Sequence, residues 1–255
     1  MTAMKTKSIL AAAASLAVLT WGVLQAAPAQ AQAMQHSTEP PFSHEIFTGA
    51  VLFEKLEYGW GLDGPNIGRW DGQAWYGGDV NRVWLKTEGE TSRNGTVEGA
   101  EVQLLYSRLL SYYWDFQAGV RYDIRPRPDR FYGVIGLQGL APGMFEVDVQ
   151  GFVSEKGDLS SRAEVSYDAY ITQRLVLQPN VEVNLALQKV PELGVGSGFN
   201  DIEAGLRLRY EVTREVSPYI GVSYERKLGD TARYARNEGE DVGGWAFLTG
   251  IRLFF

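Results

Sequence analysis

Two sets of side chains in this sequence have the types and spacing to do chemistry. The first is near the N-terminus, where Met34, His36 and His44 put three soft or borderline metal ligands within eleven residues. They would make a weak metal site, or simply a solvated lead-in segment. The second is a series of carboxylates at alternate positions of extended segments, among them Glu146, Asp148, Glu164 and Glu182. A pair such as Glu146 and Asp148 has the groups for acid–base work, or for holding a cation through oxygen. Nucleophilic catalysis is poorly served. The only histidines, His36 and His44, precede the first extended segment, so no imidazole is available there as a base for a serine nucleophile. There is no cysteine, hence no disulfide framework and no thiolate metal site.

These groups must be positioned by something, and the chain begins with a segment that says where. Lys5 and Lys7 precede an apolar, alanine-rich run from Ile9 to Val23, followed by small-x-small cleavage options at Ala29-Gln30-Ala31 and Ala31-Gln32-Ala33. That is the pattern of an export signal over residues 1–33. Cutting after Ala33 leaves 222 of the 255 residues. Lys5 and Lys7 leave with the signal, so 24 basic residues become 22 against 31 acidic, a net charge of −9. No basic surplus exists to recruit nucleic acid. Elsewhere no run approaches the ~20 apolar residues of a membrane helix.

From Val51 onward apolar and polar residues alternate. Leu175, Leu177, Val181, Val183, Leu185 and Leu187 share one face; Gln178, Asn180, Glu182, Asn184 and Gln188 share the other. Such segments recur near 51–60, 68–76, 80–90, 96–107, 112–123, 130–140, 143–154, 159–171, 174–188, 201–213, 217–228 and 243–255. Their length is near that of a tilted strand crossing a bilayer. Aromatic residues collect toward their ends (Tyr58, Trp60, Tyr112, Trp114, Tyr122, Phe131, Tyr170, Tyr210, Tyr219, Tyr224, Trp245), as in the girdles of membrane barrels. Longer connections alternate with short ones such as Gly77-Gly78-Asp79, Arg108 to Ser111 and Ala141-Pro142. The expected fold is all-β: a transmembrane antiparallel β-barrel of twelve strands, or ten without the first two. Residues 34–50 form a short periplasmic segment, and the barrel spans 51–255. Closure follows from hydrocarbon, where every backbone donor and acceptor must find a partner. The last strand ends on Phe255, with Leu253, Ile251, Phe247 and Trp245 on its face, an ending that resembles the signal read by barrel assembly machinery.

The polar face of these strands becomes the bore. Fourteen acids (Glu57, Asp71, Glu88, Glu101, Asp115, Asp123, Glu146, Asp148, Glu164, Asp168, Glu182, Glu203, Glu211 and Glu225) face nine bases (Lys55, Arg82, Lys86, Arg121, Arg162, Arg207, Arg209, Lys227 and Arg252). These charges either pair across strands and fill the bore or leave an acidic surplus that concentrates cations. Arg207 and Arg209 are expected either to bridge to Glu182 or Glu203 or to take part in transport.

Several segments resemble one family. Trp84 to Glu90 (WLKTEGE), Gln117 to Asp123 (QAGVRYD), Gly136 to Pro142 (GLQGLAP), Phe145 to Asp148 (FEVD), Thr172 to Pro179 (TQRLVLQP) and the block from Ile202 to Ala232 are similar to copper resistance protein B, CopB. The resemblance covers about residues 51–255. It implies an outer-membrane protein of copper tolerance, without catalysis or an organic cofactor, that binds copper or moves it across the membrane. Outer-membrane lipid and periplasmic copper proteins are its implied surroundings, and a monomer is expected. Family members typically carry a Met- and His-rich segment before the barrel, where thioether suits Cu(I) and imidazole both oxidation states. Here only Met34, His36 and His44 stand there, and the remaining methionine is Met144. The other reading of the scaffold is a narrow channel for other small solutes or cations.

Overall fold

The computed structural model describes residues 46–255 except 63, 93 and 94. The export signal over 1–33, and Met34, His36 and His44, lie outside the described residues.

Twelve antiparallel staves form one sheet: β1 (Thr48–Gly61), β2 (Ile67–Gly77), β3 (Asn81–Ser92), β4 (Val97–Ser111), β5 (Trp114–Arg125), β6 (Arg130–Ala141), β7 (Phe145–Ser154), β8 (Leu159–Tyr167), β9 (Leu175–Ala186), β10 (Gly198–Tyr210), β11 (Val216–Lys227) and β12 (Gly243–Phe254). Each pairs with the next, and β12 pairs with β1, so no edge is left among the described residues. β8 is interrupted at Asp168 and resumes over Ala169–Tyr170 in unchanged register. The gap lies beside Pro179 of β9, which has no N–H to give the ladder. All twelve expected strands exist, including the first two, so the ten-strand alternative falls.

Two boundaries differ from the sequence expectation. β1 begins at Thr48 and so takes in the last three residues, 48–50, of the segment read as periplasmic. The second short turn is at Tyr112–Tyr113 rather than Arg108 to Ser111. β4 runs on to Ser111 because the Leu109 amide still finds the Val80 carbonyl at 2.9 Å.

One end of the barrel carries short turns, the other the longer loops. The longest loops hold a single 3-10 turn (Pro191–Leu193) and the helix α1 (Gly229–Glu238). Outward positions are apolar and open: Leu104, Val120, Ile135 and Ile220 are each more than half exposed. An apolar band around the whole circumference is a surface for lipid rather than water. Aromatic pairs border it at both ends. Tyr58–Trp60, Tyr224–Trp245 and Tyr122–Phe131 stand at the long-loop end, and Phe47–Tyr76 and Phe145–Tyr167 at the short-turn end. Trp70 lies flat over Gly89, where any Cβ would meet its ring, and its indole N–H reaches Thr87 Oγ1 at 3.4 Å.

Inside, one wall is apolar. Trp84, Leu105, Val134 and Phe152 pack together with Trp75 and Tyr132, and the two indoles stack at 5.0 Å. The rest of the interior is polar. β1 has a bulge after Phe53, two residues facing one on β2 and on β12. It turns both Glu54 and Lys55 into the bore, where strict alternation admits one.

The seam itself is closed by Phe255, whose amide donates to the Val51 carbonyl at 2.8 Å and whose carbonyl accepts from the Val51 amide at 2.9 Å. Deleting Phe255 removes both bonds and a lipid-facing ring. We expect less heat-modifiable barrel in the outer membrane. Unchanged levels on unheated gels would show that the seam does not need this residue.

Candidate functional site

The bore is the place where the polar half of every strand converges, and its organising feature follows from the pairing register. Asp148 on β7 stands directly opposite Glu164 on β8, Glu164 opposite Glu182 on β9, Glu182 opposite Glu203 on β10, and Glu203 opposite Glu225 on β11. Five carboxylates on five successive strands thus form one cross-strand row. Like charges directly opposite each other are destabilising. The row persists because cations meet it. Lys86 reaches Asp148 at 2.8 Å and Lys55 reaches Glu164 at 3.5 Å. Arg69 holds Glu203 at 2.9 Å and Glu225 at 3.0 Å, with Glu90 at 3.1 Å. These three cations come from β1 to β3, so their bonds cross the bore. Arg162 of β8 contacts Glu182 at 3.4 Å and crosses the other way to Glu88 at 2.6 Å and Glu101 at 3.2 Å.

A second cross-bore unit is drier. The Arg207 guanidinium donates twice to Glu57, at 3.0 and 3.1 Å, and once to Asn180 Oδ1 at 2.8 Å, while the Tyr219 hydroxyl donates to Glu57 at 3.1 Å. Both charged side chains are almost wholly buried. Tyr219, expected from sequence in an aromatic girdle, is 5% exposed and stands in the bore with them. Arg207 therefore bridges to Glu57, and Arg209 to Asp168 at 2.7 Å, not to Glu182 or Glu203 as the sequence suggested. Spacing along β10 put all these groups in the bore. It could not show that Glu57, two strands beyond β11, comes closer to Arg207 than the neighbours on β9 and β10.

Two vestibules of about 530 Å³ each open at the ends. The one at the short-turn end is lined by eight carboxylates and four bases, the one beneath the long loops by five carboxylates and two bases. Among the described residues none lines both. The carboxylate row joins them: Asp148 and Glu164 line the first, Glu225 lines the second, and Glu182 and Glu203 stand between.

Loop contacts frame the second mouth. Arg130, nearly buried at the start of β6, bonds to Asp158 and Glu192 at 2.9 Å. Lys189 pairs with Asp230 of α1, and Thr231 Oγ1 accepts from the Gly196 amide at 2.9 Å. The hydrogen bond from Lys156, with its charge and that of Arg130, holds the Glu192 carboxyl below its ordinary range; Lys189 does the same to Asp230.

Of the lumen candidates read from sequence, Asp148, Glu164 and Glu182 fall in the row, each with a cation. Glu146 is exposed at the vestibule wall and accepts from Ser166 at 3.4 Å. Among the described residues no group of three or more His, Asp or Glu side chains is arranged to hold a metal ion. Sequence reasoning missed Arg69, Glu54, Glu90 and Arg130. Arg69 carried a usable signal, since it is two positions from Asp71 on the same strand.

A family model described as copper resistance protein B precursor (CopB) matches residues 47–255. The chain is 45% identical to Copper resistance protein B of Escherichia coli over 205 residues, which is 80% of this chain and 69% of that one. It is 39% identical to the Copper resistance protein B homolog of Pseudomonas syringae pv. tomato, over 83% of this chain and 73% of the other. Among solved structures, the NanC porin aligns with a TM-score of 0.53 at 14% identity, covering 81% of this chain and 99% of that one. The KdgM porin aligns at 0.50 and 10%, with the same coverage. Those two likenesses concern the fold, a barrel of the outer membrane.

Proposed function

The chain belongs to the copper resistance protein B family, and from that premise we propose that its outer-membrane barrel serves copper resistance by binding copper ions or moving them across the membrane, without catalysing a reaction. The observation that supports passage is the acidic surplus of both vestibules, since a confined acidic bore raises the local concentration of cations. Copper is cargo in this reading. The bore offers it oxygen ligands alone, which discriminate weakly among divalent ions. Selectivity is therefore assigned to Met34, His36 and His44, with the lumen acting as an electrostatic guide. Delivery from periplasmic copper proteins, insertion by the barrel assembly machinery and a monomeric state complete the proposal.

Titration calorimetry with Cu(II), and with Cu(I) under reducing conditions, tests it on the mature chain and on a chain beginning at Thr48. The mature chain is expected to bind copper weakly but in preference to zinc and nickel, and the shortened one to lose that preference. If the shortened barrel binds copper as tightly and as selectively, the N-terminal assignment is wrong and the ligands lie in the bore. If neither form prefers copper, the reading as a general channel for small cations replaces it.

A further inference from the structure

We propose that the five-carboxylate row is the track along which small cations cross the barrel, and that Arg162 is the tethered cation that closes it. The inference rests on the reading of the bore as a cation path and names the residues that control it.

The track follows from geometry. A cross-strand row runs perpendicular to the strands, and the strands of a barrel are tilted to its axis, so the row climbs as it passes around the wall. It leaves the short-turn vestibule at Asp148 and Glu164 and reaches the long-loop vestibule at Glu225. A cation moving along it changes one carboxylate for the next on the adjacent strand, without ever facing an uncompensated stretch of wall.

The closure is equally local. Glu182 and Glu203 line neither vestibule, and the groups that bond to them are Arg162 on one side and Arg69 on the other, besides the amide of Asn184. Arg162 lines only the short-turn vestibule, Arg69 only the long-loop one. Between them the two guanidinium groups occupy the middle of the row with their own positive charge. Arg162 does more than pair with Glu182. Its bonds to Glu88 and Glu101 on β3 and β4 stretch it across the bore, and Arg121, 2.7 Å from Glu101, anchors that far end. A mobile cation must displace this guanidinium at Glu182 and then Arg69 at Glu203 to pass, so removing Arg162 lowers the barrier along the row. An anion meets carboxylates at every step and has no reason to enter.

The test is electrical and uses potassium, so it does not depend on copper. The full mature protein is placed in planar lipid bilayers under a KCl gradient, as the parent and as Arg162→Ala. The parent is expected to stay silent or nearly so. Arg162→Ala is expected to give resolved conductance steps, with a reversal potential shifted toward the potassium equilibrium value. Adding Glu203→Gln should move that potential back toward zero, because the track then lacks one step. Arg162→Lys, which keeps the charge, should stay as quiet as the parent. Heat-modifiable migration on gels confirms assembly; if Arg162→Ala fails to assemble, Arg162→Gln takes its place. An assembled charge-removed variant as silent as the parent overturns the proposal. So does a parent that already conducts like the variant, or a variant that passes chloride as readily as potassium. Loss of copper preference in the calorimetry alongside a conducting, cation-selective Arg162→Ala would sink the copper reading and leave the track standing.

Discussion

Replacing Arg207 with alanine is expected to destabilise the folded barrel by about 3–5 kcal/mol, the cost of breaking a buried ion pair from one side. Glu57 and Arg207 side chains are 1% and 4% exposed, and their two parallel hydrogen bonds leave little room for solvent. Without the guanidinium, the carboxylate keeps a single donor, the Tyr219 hydroxyl, and Asn180 Oδ1 loses its partner. The energy comes from the charge left behind rather than from the strength of the pair. It follows that Glu57→Gln combined with Arg207→Met should recover most of the loss, because the double change removes both charges. Urea unfolding of the protein in lipid vesicles, followed by tryptophan fluorescence, measures both. A single variant within 1 kcal/mol of the parent would show that water reaches Glu57.

Val181→Arg is expected to cost about 2–4 kcal/mol, the penalty for a cation on the lipid face near the bilayer midplane. Val181 lies in the middle of β9 and points outward, 42% exposed on the bare barrel. The obvious control one residue away is spoiled by the structure. Asn180 faces the bore but accepts from Arg207, so an arginine there would set two guanidinium groups against each other. Ser166 is the better control: it lines the short-turn vestibule beside Glu146, where an added cation meets a carboxylate. Ser166→Arg should therefore change stability by less than about 1 kcal/mol, the range of exposed ion pairs. Equal costs at 166 and 181 would mean that the two faces of these strands are assigned the wrong way round.

Much of this architecture was legible because lipid imposes a simple rule. A strand with hydrocarbon on one side and a polar bore on the other must alternate, and β7, β8 and β9 do so throughout, while β10 does so from Asp201 onward, past a bulge at Asn200. Twelve of the fourteen acids assigned to the bore stand on inward strand positions; Asp168 lies in the break of β8 and Glu211 just past β10, both beside Arg209. Glu54 escaped because a bulge is decided by the partner strands, which place two residues of β1 against one. The pairings escaped for a different reason. Alternation says which side a group faces, not which group it meets across the lumen, and Arg69, Arg162 and Arg207 all bond to strands several places away. The carboxylate row was half visible. Asp148, Glu164 and Glu182 drew attention singly, yet only the register shows that they adjoin one another and continue to Glu203 and Glu225.

The seam between β1 and β12 has a consequence for how the barrel comes to exist. Leu52 pairs with Phe254, and Val51 with Phe255, so the contacts that abolish the sheet edges join residues about two hundred positions apart. Bringing such distant segments together in a free chain costs on the order of 5 kcal/mol in lost loop freedom before the first seam bond is made. Hairpins such as β4–β5 pay almost nothing of this kind, since a two-residue turn joins them. Assembly should thus run in two tempos, with neighbouring hairpins zipping early and circumferential closure arriving last as the slow step. Until then both lone edges are open to pairing with other chains, and the interval before closure is when this protein is most exposed to aggregation.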